Sequence, residues 1–247
     1  MAFDDHFSPL AEPYARYRPA YPKELFRWLA SNCAHHSLAW DAGTGNGQAA
    51  VALAVHFEHV VATDASFSQV SRARADKGVH YAVMRSEQAA IGTGTVDLVT
   101  VAQALHWYRL DEFYDGVRQV LRPGGVLAAW CYGLCTVTPA VDAVILHLYR
   151  DVLGEYWPTE RRHIDTAYQS LAFPFRRLKT PEFFMAQRWT LDALVGYLST
   201  WSAGARFARA TQQHAVALVR SELESAWGEP ENRQQVCWPL SLLVGHP

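Results

Sequence analysis

Two acidic residues and a glycine-rich turn between them have the types and spacing of a ligand site. Asp41 ends a short apolar run, and Gly43, Gly45 and Gly47 follow at alternate positions before an alanine-rich segment typical of a helix. Glycine lets the backbone approach a ligand closely because no Cβ intervenes. A second apolar run ends in Asp64, 17 residues after Gly47. Near that offset an acid accepts hydrogen bonds from a ribose, so the pattern predicts a nucleoside-containing cofactor.

The acid at Asp41 decides between the nucleoside cofactors. Dinucleotide enzymes write this turn as G-x-G-x-x-G facing a pyrophosphate, and a carboxylate is unfavourable there but suits a cationic or amine-bearing ligand. The pattern D-x-G-x-G-x-G followed by Asp64 resembles the cofactor site of class I S-adenosylmethionine-dependent methyltransferases. The resemblance implies S-adenosyl-L-methionine as cofactor and S-adenosyl-L-homocysteine as product.

The same resemblance implies which residues contact the cofactor. Ser86 and Glu87 follow the third predicted strand, where relatives recognise adenine. Many relatives carry an acid where this chain has Arg85, so backbone groups of Ser86 are the expected contact instead. The expected cofactor-binding residues are Asp41, Gly43, Thr44, Gly45, Gly47, Asp64, Ala65, Ser86, Glu87, Gln103 and Ala104.

The elements around these residues alternate between short apolar runs and helical segments. This order predicts a parallel sheet with right-handed crossovers. We expect an α/β fold: a Rossmann-like, seven-stranded methyltransferase sheet, mostly parallel, with an antiparallel C-terminal edge hairpin and helical cap insertions. Predicted strands include 60–64, 79–84, 96–101, 126–130, 183–189 and 236–244, and predicted helices include 49–57, 66–77, 110–121, 191–201 and 214–227.

We expect residues 1–247 to form a single methyltransferase domain. Residues 1–22 are dense in aromatic, arginine and proline residues, which predicts an arm packed on the domain, a lid over the cofactor, or both. Segments 154–180 and 191–226 are expected to form a helical cap over the carboxyl ends of the strands, where open α/β sheets bind ligands.

Methyl transfer is an in-line displacement, so the protein must hold the acceptor close to the methyl carbon and exclude water. His106, just past the fourth strand, is the candidate catalytic residue: it could remove a proton from a hydroxyl or pair with a carboxylate, which needs no base. A purely structural histidine is the alternative. Arginines 16, 18, 161, 162 and 206 could grip a carboxylate. The candidate substrate residues are Tyr14, Arg18, Trp107, His163 and Trp201.

Further motifs narrow the resemblance. The segments 14–22, 102–107 and 200–203 are similar to a branch that contains trans-aconitate 3-methyltransferase and related small-molecule O-methyltransferases. The resemblance implies methylation of a carboxylate or hydroxyl of a small molecule. A non-catalytic S-adenosylmethionine-binding protein with a partner-binding cap is the alternative.

Bulk properties exclude several other classes of function. The formal net charge of −2 offers no general attraction for a nucleic acid. No apolar run is long enough to span a bilayer and no signal peptide is evident, so we expect a cytoplasmic protein with no membrane partner. No acidic cluster follows the fourth strand, so no metal is expected. The protein is expected to be a monomer or homodimer.

Overall fold

The computed structural model describes residues 17–247, which form one mixed sheet with helices on both faces. Within this part of the chain the sheet has eight strands in the order β3-β2-β1-β4-β5-β8-β6, and β7 also pairs with β8. The strands are β1 Leu38–Ala42, β2 His59–Asp64, β3 Val79–Val83, β4 Val96–Ala102, β5 Leu121–Tyr132, β6 Arg176–Arg177, β7 Phe183–Trp189 and β8 Gln234–His246.

Strands β1 to β5 are parallel, whereas β8 runs antiparallel to β5, β6 and β7. The helices are α1 Lys23–Ser31, α2 Gln48–Leu53, α3 Phe67–Val70, α4 Leu110–Val120, α5 Pro139–His147, α6 Arg161–Asp165, α7 Leu191–Ser199, α8 Ser202–Thr211, α9 Ala215–Leu218 and α10 Arg220–Trp227. In the described range no helix is both long and apolar enough to cross a bilayer.

Burial explains why the sheet has this form. Parallel strands need cover on both faces, and β4 is buried along nearly its whole length. Two hydrophobic cores provide the cover. One gathers Trp130 and Trp238 with helices α1, α2 and α7, and the other packs Phe113 and Val117 of α4 against Trp40.

The predicted fold class is confirmed, including the antiparallel strands at the C-terminus. The predicted helix 66–77 is wrong beyond α3, because residues 71–77 have no apolar face to bury. The predicted helix 214–227 is two helices, α9 and α10. Strand β5 begins five residues before the predicted 126, through a register irregularity opposite β4.

Part of the expected helical cap belongs to the sheet. The two-residue strand β6 lies inside segment 154–180 and pairs with the end of β8. The remaining segments bring residues 157–158, α6 and α7 to the carboxyl ends of the parallel strands. Residues following Tyr17 reach the same place, since Gln48 Nε2 donates to the Pro19 carbonyl at 2.9 Å. The first 16 residues of the expected arm lie outside the described part.

Candidate functional site

A cavity of about 550 Å³ opens at the carboxyl ends of β1, β2, β4 and β5. Its size is within the range of small-molecule sites. One wall is built from the loops that follow these strands, and the other from α6, α7 and the segment around Arg18. The cavity therefore lies between the sheet and the inserted segments, as expected for open α/β sheets.

The glycine turn shapes one end of the cavity. Gly43, Gly45 and Gly47 all have positive φ angles, of 70°, 54° and 79°. A Cβ at Gly43 would collide with the Tyr108 hydroxyl, and one at Gly47 with the Tyr81 hydroxyl. At Gly45 the nearest atom would be 4.0 Å away, although the residue lines the cavity. The missing side chain of Gly45 thus leaves room for a ligand, whereas the other two glycines make room for tyrosines.

Asp41 has a different role from the one expected. It is fully buried and does not line the cavity. Its two carboxylate oxygens accept hydrogen bonds from Thr44 Oγ1 at 2.6 Å and Thr100 Oγ1 at 2.7 Å. Burial raises its pKa to about 6, against the opposing effect of these hydroxyls. Asp41 therefore fastens the glycine turn to β4 and is not exposed to the cavity.

Asp64 does line the cavity. Its Oδ2 accepts from the Gly45 backbone N–H and its Oδ1 from the Ser66 N–H, both at 2.9 Å. These two bonds orient the carboxylate at the cavity wall. The geometry is suited to receiving the two hydroxyls of a ribose laid across Gly45.

The expected adenine end contains a buried polar group without a good partner. The Tyr108 hydroxyl faces Ser86 behind Gly43, yet it makes no hydrogen bond of good geometry to the described residues. Ser86 is itself buried and lines the cavity with Glu87, whose Oε1 accepts from the Arg109 N–H at 3.2 Å. An unpaired buried hydroxyl is costly, so a ligand heteroatom at this point would stabilise it. The open space at Gly45, the oriented Asp64 and this hydroxyl together fit a bound nucleoside.

His106 stands at the other end of the cavity, in the 3₁₀ turn Leu105–Trp107 after β4. Its Nδ1 is 3.0 Å from the Tyr168 hydroxyl, and the side chain is almost completely buried. Burial, with smaller contributions from the neighbouring Arg161 and His163, lowers its pKa to about 3. The imidazole is therefore neutral at physiological pH. Its pKa lies far below the ordinary value near 6.5 that a general base at this pH would have.

Arg161 also lines this end, at the start of α6. Its guanidinium lies 4.8 Å from the centre of the Trp157 ring and 5.2 Å from that of Tyr149. Its Nε donates to the Tyr149 hydroxyl at 2.9 Å, with Asp165 3.7 Å away. Stacking and this hydrogen bond hold the planar fork in one orientation.

A second arginine approaches from the N-terminal segment. Arg18 Nη1 donates to the Tyr132 hydroxyl at 3.0 Å, and the guanidinium lies 5.3 Å from the centre of the Tyr197 ring. Arg162 and Arg206, two other candidates for gripping a carboxylate, do not line the cavity, and Arg16 lies outside the described residues.

Most of the residues expected from sequence meet in this cavity: Arg18, Gly43, Thr44, Gly45, Asp64, Ala65, Ser86, Glu87, Gln103, Ala104, His106, Trp107 and Trp201. Gly47 does not line it, nor does His163, whose Nδ1 is instead 2.8 Å from Ser170 Oγ. The structure gives no support to a substrate contact by His163. Tyr14 lies outside the described residues.

Gln103 joins two strand ends beside the cavity. Its side-chain amide exchanges two hydrogen bonds, each of 3.0 Å, with the backbone of Tyr132, joining the ends of β4 and β5. Its φ of 57° is unusual for a residue with a side chain. Between residues 17 and 247 no group of three or more His, Cys, Asp or Glu side chains is arranged to hold a metal ion.

Sequence reasoning did not assign cavity roles to Tyr108, Trp157 and Tyr197, and it did not single out Tyr168. Tyr108 is two residues from His106, so its proximity was a usable signal. Tyr168 contacts a histidine 62 positions earlier in the chain, and no local pattern indicates such a contact.

Comparisons with known proteins agree with this site. A family model described as a methyltransferase domain matches residues 40–129. A Dictyostelium discoideum protein named as a methyltransferase is 33% identical over 229 residues, covering 91% of this chain and 87% of its own. A Saccharomyces cerevisiae protein named as S-adenosylmethionine-dependent is 28% identical over 165 residues, covering 61% of this chain and 56% of its own.

A solved structure described as a type II methyltransferase, from Anaeromyxobacter dehalogenans, superimposes with a TM-score of 0.88. It is 42% identical and covers 93% of this chain and 98% of its own. These relatives are named as enzymes, which favours catalysis over a non-catalytic binding role. The chain belongs to the class I S-adenosylmethionine-dependent methyltransferases, and S-adenosyl-L-methionine is its cofactor.

Proposed function

We propose that the protein transfers the methyl group of S-adenosyl-L-methionine to a carboxylate oxygen of a small molecule held at the Arg161 end of the cavity. The observation that carries the proposal is the hydrogen bonding of the Arg161 guanidinium. Its Nε is bound, but no residue between 17 and 247 pairs with its two terminal nitrogens. A fixed guanidinium fork lining a cavity is suited to bidentate recognition of a carboxylate.

The chemistry agrees with a carboxylate acceptor. When bound, the cofactor supplies an activated methyl group on a positively charged sulfur. Because a carboxylate is already ionised, the protein has no proton to remove and needs only to orient the oxygen and exclude water. Trp107, Trp157 and Trp201 line this end and provide apolar walls. A carboxylate beside a sulfonium also loses its charge in the reaction, which a partly apolar site favours.

A hydroxyl acceptor would place a different demand on the site. It would need a base, and the low pKa of His106 makes that residue a weak one. Glu160 is the carboxylate that lines the cavity beside Arg161. If the acceptor is a carboxylate, Glu160→Gln should leave kcat unchanged within about threefold and tighten acceptor binding by removing a like charge. If the acceptor is a hydroxyl and Glu160 its base, kcat should fall by about 10²–10⁴-fold.

Binding measurements test the carboxylate site without requiring turnover. Small mono- and dicarboxylic acids and their matched carboxamides are titrated calorimetrically into the protein saturated with S-adenosyl-L-homocysteine. Acids should bind and amides should bind far more weakly. Arg161→Met should weaken acid binding by roughly 10- to 150-fold, equivalent to losing about 1.5–3 kcal/mol of charge-assisted hydrogen bonding.

Two matched variants sharpen this result. Arg161→Lys keeps the charge but loses the fork and the ring stacking, so most of the loss should remain. Arg162→Met removes the neighbouring arginine, which is exposed and outside the cavity, and should change nothing. Equal binding of acids and amides, or no effect of Arg161→Met, would contradict a carboxylate site at Arg161.

A further inference from the structure

The candidate catalytic residue His106 contacts a second residue, Tyr168, that does not reach the cavity. Tyr168 is completely buried, and its hydroxyl is 3.0 Å from His106 Nδ1. His106 lines the cavity, whereas Tyr168 does not. The Nδ1 edge of the imidazole therefore faces the protein interior, and the Nε2 edge is the one available to a ligand.

The backbone around Tyr168 is in an unusual conformation. Ala167 and Tyr168 have positive φ angles of 54° and 62°, in succession and without glycine. The turn closes α6, with the Tyr168 N–H donating to the His163 carbonyl at 2.7 Å. Consecutive left-handed residues with side chains are unfavourable and persist only where surrounding contacts over-determine them. Here the strained turn places the Tyr168 ring against His106, with 5.9 Å between the ring centres.

The direction of the hydrogen bond follows from the proton on the tyrosine. Burial raises the pKa of Tyr168 well above its ordinary value, so the hydroxyl keeps its proton. Its ionisable surroundings are Cys131, Tyr108 and Tyr21, which oppose a negative charge there. The His106 backbone N–H also interacts with this oxygen but can only donate, so among residues 17–247 Nδ1 of His106 is the group placed to accept the O–H.

Only one of the two neutral tautomers satisfies both groups. If Nδ1 carried the proton, it would donate to the tyrosine oxygen, and the buried O–H would have no acceptor, which is costly. If Nδ1 is unprotonated, it accepts from Tyr168 and the proton resides on Nε2. Arg161 and His163, the charged or titratable groups acting on His106, both disfavour a doubly protonated ring. No described residue pairs with Nε2.

We propose that Tyr168 fixes His106 as the Nε2–H tautomer, so that His106 donates a hydrogen bond to the acceptor carboxylate and does not act as a base. The inference rests on the proposed carboxylate acceptor. Tyr168 is then a positioning residue, acting through His106. Together with the Arg161 fork, the Nε2–H gives the cavity a second donor for an anionic oxygen, one that an unprotonated Nε2 could not supply.

The tautomer can be measured without any turnover. Two-dimensional ¹⁵N–¹H spectra of histidine-labelled protein, saturated with S-adenosyl-L-homocysteine, report each imidazole nitrogen, and loss of signals in His106→Gln assigns the ring. We expect an unprotonated Nδ1 and a protonated Nε2 throughout pH 5.5–8. A protonated Nδ1 in the wild-type protein would overturn the inference, whether or not a carboxylate substrate has been found.

Kinetics separate a donor from a base. Tyr168→Phe should raise the acceptor KM about 5- to 30-fold, leave kcat within about threefold, and leave cofactor affinity unchanged. Its spectra should show a mixture of tautomers. If His106 were a base, kcat itself should fall by about 10²–10⁴-fold, and the wild-type rate should show an acidic limb that Tyr168→Phe displaces.

Two further variants keep the test decisive. Tyr114→Phe removes a comparably buried hydroxyl, which donates to the Ala172 carbonyl at 2.8 Å, and should change neither KM nor the His106 spectrum. His106→Gln retains an N–H donor and should recover part of the KM loss of His106→Ala. If neither His106→Ala nor Tyr168→Phe alters KM while the acid is still methylated, the donor role fails although the proposed function stands.

Discussion

Gly45 is the residue at which backbone geometry and ligand binding are most directly coupled. Gly45→Ala introduces a Cβ that points into the cavity at a φ of 54°. We expect a loss of stability of about 1 kcal/mol from the left-handed backbone and loss of cofactor binding by at least tenfold from the steric block. Calorimetric titration with S-adenosyl-L-homocysteine measures the second effect.

Gly124→Ala is the matched control for this substitution. Gly124 has a φ of 80° and open space at its Cβ position, and it lies away from the cavity. It should show a similar loss of stability with unchanged affinity. Equal affinities in the two variants would mean that the cofactor does not lie against Gly45.

Two buried titratable groups give opposite pH dependences of stability. The folded pKa of His106 is about 3, below its unfolded value near 6.5, so the unfolded state binds the extra proton between these pH values. His106 thus costs stability as the pH falls through this window. Asp41 has a folded pKa of about 6, above its unfolded value near 3.8, so its folded form binds the extra proton and stability falls as the pH rises from 3.8 to 6.

Single variants should separate these contributions. Relative to wild type, His106→Gln should gain free energy of unfolding as the pH falls from 6.5 to 4, by up to about 1.4 kcal/mol per pH unit. Asp41→Asn should lose it, relative to wild type, over pH 6 to 4. Urea titrations at each pH measure both. Parallel curves for wild type and His106→Gln would show that this imidazole is not buried in its neutral form.

At the scale of elements, the turn after α6 has a strained backbone at the position that brings Tyr168 into contact with His106. Ala167→Gly should relieve the positive φ of 54° and stabilise the protein by roughly 0.5–1 kcal/mol, because glycine adopts this conformation without a Cβ penalty. Ala208→Gly, inside α8, should instead destabilise by about 1 kcal/mol. Chemical denaturation checks both. Destabilisation by Ala167→Gly would show that the turn is not strained.

The elements also show what local sequence could and could not predict. The glycine turn at 43–47 is predictable from the sequence, because the positive φ angles that it needs are a local property of glycine. The position of Asp64 is predictable because it directly follows an apolar run that forms a strand. The extent of α3 was overestimated, because helix propensity without an apolar face does not sustain a helix. Strand β6, with two residues, carries no period to detect. The contact of Tyr168 with His106 depends on where α6 docks, which only the tertiary packing decides.

At the scale of the whole molecule, the N-terminal segment closes the cavity from one side. Arg18 contacts Tyr132 and Tyr197, and Pro19 is bound by Gln48 directly after the glycine turn. Tyr132, Tyr197 and Gln48 all line the cavity. A cofactor bound there should therefore stabilise the segment that contacts them. Trypsin does not cleave the Arg18–Pro19 bond, so the bond after Arg16 is the one to follow, and we expect S-adenosyl-L-homocysteine to slow its cleavage by at least fivefold.

Cleavage after Lys179, which is exposed outside the cavity, serves as the internal reference and should be unaffected. Mass spectrometry of the fragments over time gives both rates. Equal protection at both sites would indicate global stabilisation, and no protection at Arg16 would mean that the segment is a structural brace and not a lid.

The most direct test of methyl transfer to a carboxylate is to follow the methyl group itself. The protein is incubated with methyl-labelled S-adenosyl-L-methionine and a panel of small carboxylic acids, carboxamides and alcohols, and the label is located by mass spectrometry before and after mild base. We predict that label appears in an acid as a base-labile methyl ester, with an equal amount of S-adenosyl-L-homocysteine formed. Label in a base-stable ether, or no transfer to any acid by protein that binds the cofactor, would contradict it.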